Sequence, residues 1–587
     1  MEKSGYFIDN VYQGGYSSLD PNKSYGNVFS GYRVTQGLGM STDARTANII
    51  KEVSKNLSAG AKTVELTQVF PEVFEAIPKS EFKELNRLAK LTGVEITFHA
   101  PLVEPSGLTR DGFSEANRKS SELQMLSAVE KAHEINPKGN IPVTFHSSNQ
   151  LPGKIKPKEG EISETLIINP ETGQIHPLPL KERFFPGEEK KPDVKVELQK
   201  LNEEQWDHQL RNLVYYSDMG MNAIDESKYL ALGAEAEQKA GQQLTEQEKR
   251  AMSGFNRGVT FLNESYREFK KIYDQTYPGS SPEDKKKLEE FSQKIKEKAI
   301  KITENKNTKE SIALRKEILE EGINILGQIS PPQMFKPLEE YAKEKTTETF
   351  SNVALQTYNK FKDNSPIISI ENPPAGGAFS RGEELKEIVE ESRKKFVEKA
   401  IKGGMSQSEA ESASKKLIGA TWDVGHINML RKYGYTDEDI IKETEKIAPL
   451  VKHVHLSDNF GFEHTELLMG MGNVPIKAMM EKLGKEGYKG KKIIEALHWW
   501  QHFSEQGSNP PLKPSLEAMG SPLYSTGLGP YWNAAIGFQQ NYFGGYGATL
   551  PQGNYNIFGG GFSALPAELG GQVPGSQGGR MSGRPME

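Results

Sequence analysis

The chain has 587 residues, a formal net charge of −6 and no cysteine. The missing thiols exclude disulfides, thiolate metal sites and a cysteine nucleophile, so any metal must be held by His, Asp, Glu and water. The charge gives no strong basic field for nucleic acid or an anionic membrane, although a local basic groove can hide in an average. Mean hydropathy is −0.62, no apolar run reaches roughly 18 residues, and the opening Met1–Tyr6 lacks the pattern of a signal peptide. A cytoplasmic protein without a membrane partner is expected. An apolar content of 35% is low for a fully packed chain, so part of the length is expected to lie outside any core.

Residues 1–31 mix Gly, Tyr, Asn and Ser, and 526–587 alternate Gly with Gln, Asn and aromatics, as in Phe543–Gly547 and Phe558–Phe562. Such sequence buries too little apolar area to offset ordering entropy, which predicts disordered Gly/aromatic-rich termini. Aromatics spaced by glycine give the tail a capacity for weak self-association.

Between the ends, β-rich runs alternate with amphipathic helical runs. Strands are predicted at Arg33–Gly37, Thr63–Val69, Val94–His99, Pro142–His146, Ile367–Glu371, Gly419–Val424, Val451–Leu456 and Lys492–Glu495. Helical patterns follow at Thr46–Leu57, Lys79–Leu91, Ala116–Ile135, Gly382–Lys402, Asp437–Ile447, Val474–Leu483 and Leu512–Met519. Eightfold β-α alternation predicts an α/β fold, a closed (β/α)8 TIM barrel over 32–149 and 341–525, with an open doubly wound sheet as the alternative. The interruption at 150–340, after strand 4, is too long for one βα connection. It holds a hairpin near 165–176 turning at Pro170-Glu171-Thr172-Gly173, a charged Pro-rich stretch at 177–197, and helical patterns at 199–275 and 282–326. A large, mostly helical insertion subdomain on the face of the βα loops is expected, acting as a lid for a small substrate or standing aside for DNA. The Lys/Glu run Glu283–Lys306 reads as a solvated helix face.

Chemistry in such a barrel sits where the strands end. Strand 3 ends at His99, strand 4 at His146, strand 5 at Glu371 and strand 6 at Asp423 with His426 just beyond. Strand 7 carries His455, its loop carries His464 and Glu466, and strand 8 ends at Glu495. The two-residue period puts Thr97 with His99, Thr144 with His146, Ser369 with Glu371 and Thr421 with Asp423 on the inward face. Phe98, Phe145, Ile370 and Trp422 then face the helices. Carboxylates converging on one mouth demand cations, and imidazoles mixed with carboxylates suit Zn2+, Mn2+ or Fe2+ better than Mg2+ or Ca2+. Five of the 11 histidines fall at these positions. His453 lies one layer deeper and reads as structural, as do His133, His176, His208, His498 and His502.

In this order the residues resemble the xylose isomerase-like TIM barrel superfamily, and within it the apurinic endonuclease IV pattern (AP endonuclease family 2). The resemblance covers about 32–525 without the insertion. Its motifs are a His after strands 3 and 4, Glu371-Asn372 on strand 5, an Asp-x-x-His at Asp423 and His426, a His-Leu-x-Asp at His455–Asp458, and a closing Glu495. His464-Thr465-Glu466 stands in reversed order in the Asp-x-His slot. The resemblance implies up to three Zn2+ ions. Carried over, Glu371 would bridge two of them, with His99 and His146 completing the first site and Asp423, His455 and Glu495 the second. His426, His464 and Glu466 hold the third. It further implies a metal-dependent hydrolase of DNA repair, with Glu371, Asp423 and Glu495 in catalytic roles. Damaged DNA would be its partner, with the nucleotide flipped out and Leu102 and Val103 set to wedge the base stack. Met471 departs from the loop Glu of the endonucleases and can neither hydrogen-bond a nucleophile nor add charge.

Two other readings stay open. A sugar (phosphate) isomerase or epimerase would use one Mn2+ or Mg2+ on Glu371, Asp423, His455 and Glu495, with the glutamates moving a proton beside a carbonyl. That leaves His99, His146, His426 and Glu466 idle. A non-catalytic scaffold would work through the insertion and the tail.

Overall fold

The computed structural model describes residues 38–495, apart from 59–60, 150, 154–163, 181, 183, 185–192, 240–241, 305–308 and 468–471. The predicted strand Arg33–Gly37, the final helix Leu512–Met519, both termini with their disorder and self-association, and Met471 lie outside the described residues.

Eight parallel strands close into a barrel, which excludes the open sheet. In chain order they are β1 Leu38–Ser41, β2 Thr63–Thr67, β3 Glu95–His99, β4 Pro142–His146, β5 Ile367–Glu371, β6 Ile418–Asp423, β7 Val451–Leu456 and β8 Lys491–Ile494. The first barrel strand is therefore Leu38–Ser41, pairing with β8 on one side and β2 on the other. Gly37 and Gly39 look like punctuation in the sequence. Gly39 is instead a packing requirement, because a Cβ there would lie 2.7–2.8 Å from Ile493 and Thr63.

Outside the ring, apolar strand residues meet helix residues. Phe98 packs against Phe74 and Phe82, with ring centroids 6.0 and 6.3 Å away. Phe145 faces Phe350, and the Trp422 indole donates to Thr444 Oγ1 at 3.1 Å. Helix Asp437–Ile447 shows how the sequence builds one such layer. Thr436 and Asp439 form a capping box, and Ile440, Glu443, Thr444 and Ile447 bury one face. Glu443 then receives the backbone N–H of Gly382 (2.9 Å) and the Arg381 guanidinium (2.7 Å). A Cβ on Gly382 would sit 2.0 Å from the Glu443 carbonyl oxygen. Gly382→Ala is therefore expected to destabilise the barrel by about 1–3 kcal/mol through overpacking, read as a lower denaturant midpoint at unchanged slope.

The chain between β4 and β5 separates from the barrel as its own compact unit, Ser163–Pro337. Glu164–Ile168 and Ile175–Pro179 form an antiparallel hairpin, and Lys336–Pro337 adds a third strand. Asn169 Oδ1 accepts the N–H groups of Glu171 and Thr172, and Gly173 takes φ +74°, which closes the turn. Four helices follow: Val194–Lys239, Glu246–Gly279, Pro282–Glu304 and Lys309–Leu326. The single pattern expected at 199–275 breaks in two because Thr245 and Glu248 form a capping box that starts a new helix. Gly220 and Gly258 let the first two helices touch, since a Cβ on Gly220 would lie 2.9 Å from Leu262 N. Trp206, Leu262, Phe269 and Ile318 anchor the core of this unit.

The barrel resumes with helix Leu338–Phe361, which sequence reading missed. Its Thr346-Thr347-Glu348-Thr349 stretch carries β-branched residues that disfavour helix. The Thr347 hydroxyl bonds back to the Lys343 carbonyl, and buried Tyr341, Phe350 and Val353 hold the helix in place. A small antiparallel pair, Leu108–Thr109 with Gly112–Phe113, was also unread. Among the described residues no helix is long and apolar enough to cross a membrane.

Candidate metal centre

Strand register carries the chemistry to one end of the barrel. His146 lies beside Glu371, and Asp423 beside His455, in paired positions of neighbouring strands. Beneath them the barrel interior is polar. Thr144 and Thr421 hydroxyls meet at 3.0 Å, and Thr421 donates to Ser369 Oγ at 2.7 Å.

Glu371 stands at the centre and is fully buried. Its Oε2 lies 3.2 Å from His99 Nε2 and 3.3 Å from His146 Nε2. Its Oε1 lies 2.6 Å from His455 Nδ1, which is also 2.9 Å from Glu495 Oε2. One carboxylate thus divides its two oxygens between two groups. The first is His99, His146 and Glu371; the second is Glu371, Asp423, His455 and Glu495. In each, one ligand atom per residue lies within 4.8 Å of all the others.

The ring nitrogens are directed by backbone carbonyls. His99 Nδ1 donates to Ala100 O at 2.9 Å, which leaves Nε2 to face Glu371. His426 Nδ1 donates to Asn372 O at 2.7 Å, and its Nε2 lies 2.8 Å from His464 Nε2. His464 Nε2 is in turn 3.2 Å from Glu466 Oε1. Asp423 Oδ1 caps the short helix Val424–Asn428 by accepting His426 N at 2.7 Å. Of the nine residues expected as ligands, His99, His146 and Glu371 cluster together, as do Glu371, Asp423, His455 and Glu495, while His426, His464 and Glu466 form a chain of side-chain contacts beside them. The spacing of the third differs only in which residue of the loop supplies the imidazole.

The electrostatics of the cluster are those of acceptors without enough cations. Burial would raise the Glu371 carboxyl, but His455 and His146 outweigh it and hold it well below its ordinary value. Burial and the Glu371 charge raise Asp423. Burial pushes Glu495 up to about 8, opposed by His455. Burial opposes the charged form of His455, yet Glu371, Glu65 and Glu495 lift it well above the usual imidazole range. His99 rises to about 9, because its bond to Glu371 overcomes burial. His426 falls to about 4, chiefly by burial, so it is neutral at pH 7.

A divalent cation fits this donor set. Glu371 Oε1, Asp423 Oδ2, His455 Nδ1 and Glu495 Oε2 are buried and have no hydrogen-bond partner among the described residues. They belong to the four residues of the second group; three of them meet at ion-pair distance without a hydrogen bond, and buried polar atoms left without hydrogen bonds are costly. Imidazole and carboxylate without thiolate suit a borderline or hard divalent ion. If His426, His464 and Glu466 hold an ion of their own, His464→Ala is expected to lose that ion while the groups around Glu371 keep theirs, checked by metal content after dialysis.

Sequence reading missed Glu65. It lies on β2, fully buried, with Oε2 2.8 Å from His453 Nε2 and Oε1 2.9 Å from His455 Nε2. The alternation Thr63-Val64-Glu65-Leu66-Thr67 was a usable signal, because it puts a carboxylate on the inward face of a strand whose outward residues are apolar. Asp458, by contrast, organises the loop: its Oδ1 accepts the N–H groups of Asn459 and Val474.

Residues 403–518 match the family model described as xylose isomerase-like TIM barrel. An uncharacterized protein of Methanocaldococcus jannaschii is 32% identical over 80 residues, which are 14% of this chain and 26% of that relative. The match thus spans about a quarter of the curated relative's length. A solved structure described as a D-tagatose 3-epimerase-like protein aligns at TM-score 0.35 and 14% identity, over 82% of this chain and 98% of its own. The eight parallel strands close in sequence order, and the segment that includes β6 to β8 is similar to the xylose isomerase-like TIM barrel family.

Proposed function

We propose that the barrel mouth is a multinuclear metal centre that hydrolyses phosphodiesters, in the manner of apurinic endonuclease IV, with damaged DNA as substrate. The superfamily holds isomerases, epimerases and endonucleases, and its members bind divalent metals. The observation that favours hydrolysis is the division of Glu371, whose Oε2 faces two histidines while Oε1 faces the second group. A single-ion isomerase needs only the second group and has no use for His99, His146, His426 or Glu466.

In this reading His99, His146 and Glu371 hold one ion, Glu371, Asp423, His455 and Glu495 a second, and His426, His464 and Glu466 a third. Bound there, divalent ions such as Zn2+ supply Lewis-acid stabilisation of phosphoryl charge and a nucleophile at neutral pH. The chain supplies the directing contacts. The Ala100 and Asn372 carbonyls fix which nitrogen of His99 and His426 faces inward. The Asn372 side chain clamps β6 by donating to Asp423 O at 3.0 Å and accepting Asp423 N at 2.8 Å. Glu104 ties the loops after β3 and β4 together by accepting from Ser148 Oγ and Asn149 N, each at 2.8 Å.

The test is incision of a duplex carrying one abasic site, beside an undamaged duplex and a panel of ketoses and aldoses, with Glu371→Gln as control. Metal-dependent incision confined to the damaged strand supports the proposal. Interconversion of a sugar with a single Mn2+ or Mg2+, and no incision, would transfer the site to an isomerase.

A further inference from the structure

A second histidine–carboxylate system, around Glu65, shares His455 with the second group, while its other two members, Glu65 and His453, belong to no ligand group above. Glu65, His453 and His455 are all fully buried inside the barrel. Each carboxylate oxygen has an imidazole within ion-pair distance, and the hydrogen bonds fall on Oε2. Oε2 accepts the Thr97 hydroxyl at 2.9 Å and lies 2.8 Å from His453 Nε2. Oε1 lies 2.9 Å from His455 Nε2. Its partners at ion-pair distance are the two imidazoles. Thr97 and His453 therefore pin one oxygen, and the other is left for a single ring.

That ring is the one whose other nitrogen, Nδ1, faces Glu371 and Glu495 at 2.6 and 2.9 Å. A neutral imidazole carries its one proton on either nitrogen. A proton on Nδ1 would point at the two carboxylates and occupy the direction a cation needs. A carboxylate opposite Nε2 accepts a proton there and leaves the Nδ1 lone pair free for the ion. It also fixes the plane of the ring, which on an inward strand position could otherwise turn.

We propose that Glu65 is a positioning residue for the metal centre: braced by Thr97 and His453, it holds His455 as the Nε2–H tautomer and so presents Nδ1 to the ion. The inference rests on the metal-centre reading. A purely structural Glu65 predicts something different. An uncharged isostere would then fill the space as well, and the ligand set would not respond.

Two measurements separate these cases. In Zn2+-loaded wild-type protein with 15N-histidine, His455 is expected to show its proton on Nε2 with Nδ1 unprotonated. In Glu65→Gln, Zn2+ affinity measured against a competing chelator is expected to fall about 10- to 100-fold, while the unfolding midpoint of the metal-free protein stays within a few degrees. A His455 proton on Nδ1, or a Gln variant that binds Zn2+ as tightly as wild type, overturns the inference. A Gln variant that loses one whole ion while the others bind normally also overturns it, since Glu65 would then be a ligand itself. Should the variant fail to fold, the tautomer in the wild type decides alone. Wild-type protein that binds no Zn2+ at all marks failure of the metal-centre reading, which is distinct from failure at Glu65.

Discussion

Glu371→Gln is expected to bind no more than the ion of the His426–His464–Glu466 group and to lose phosphodiester hydrolysis by at least about a hundredfold, a floor set by what even indirect partners of metal ligands cost. The cause is position. Glu371 is the one residue shared by the first two groups, and each of its oxygens serves a different one. The substitution keeps shape and removes charge, so the barrel should survive it. Removing one partner of a buried pair typically costs about 3–5 kcal/mol. Here His99 and His455 can shed their protons in response, so the metal-free variant should lose less than that. Metal content and an activity assay on the same preparation check the expectation. Retention of full metal content would show that Glu371 bridges nothing.

Chelation of the wild type is expected to have the largest effect on stability, and its pH dependence has a definite sign. An ion that binds only the folded state at about a thousand times its Kd stabilises by about 4 kcal/mol. At about 2–4 °C per kcal/mol for a large domain, each vacated group should lower Tm by roughly 10 °C. In the metal-free centre at pH 7, His99 (raised to about 9), His455 (raised well above the usual range) and Glu495 (raised to about 8) hold protons. An ion must displace them, so binding releases protons and tightens as pH rises toward about 9. Calorimetry in two buffers of different ionisation enthalpy reads the release directly. Zero release at pH 7, or affinity falling between pH 7 and 9, would contradict the electrostatics described for the cluster.

Much of this was legible in the sequence, for a physical reason. Strands buried on both faces usually read as continuous apolar runs. Here the inward face is polar, so the two-residue alternation of Thr97 with His99, Thr144 with His146 and Thr421 with Asp423 marked both the strands and their orientation. Every barrel strand from the second onward lies within a few residues of its expected position. What escaped has equally definite causes. Glu65 sits in mid-strand, below the mouth, where reading strand ends alone does not look. β1 hides behind Gly39, whose lack of a side chain serves tight packing. Helix Leu338–Phe361 contains a threonine cluster that local propensity argues against and tertiary burial overrides. Strand ends gave the His and carboxylate cluster, whereas the contact of Glu65 with His455 required knowing that β2 and β7 meet across the barrel interior, which only closure of the ring establishes.

The central claim is that these groups together form one multinuclear centre, and metal content per chain tests it most directly. Elemental analysis of protein purified without added metal and without a His tag is expected to give close to three Zn per chain, or a Zn/Mn mixture of the same total. A single Mn or Mg per chain, or a folded barrel with essentially no metal, would contradict it.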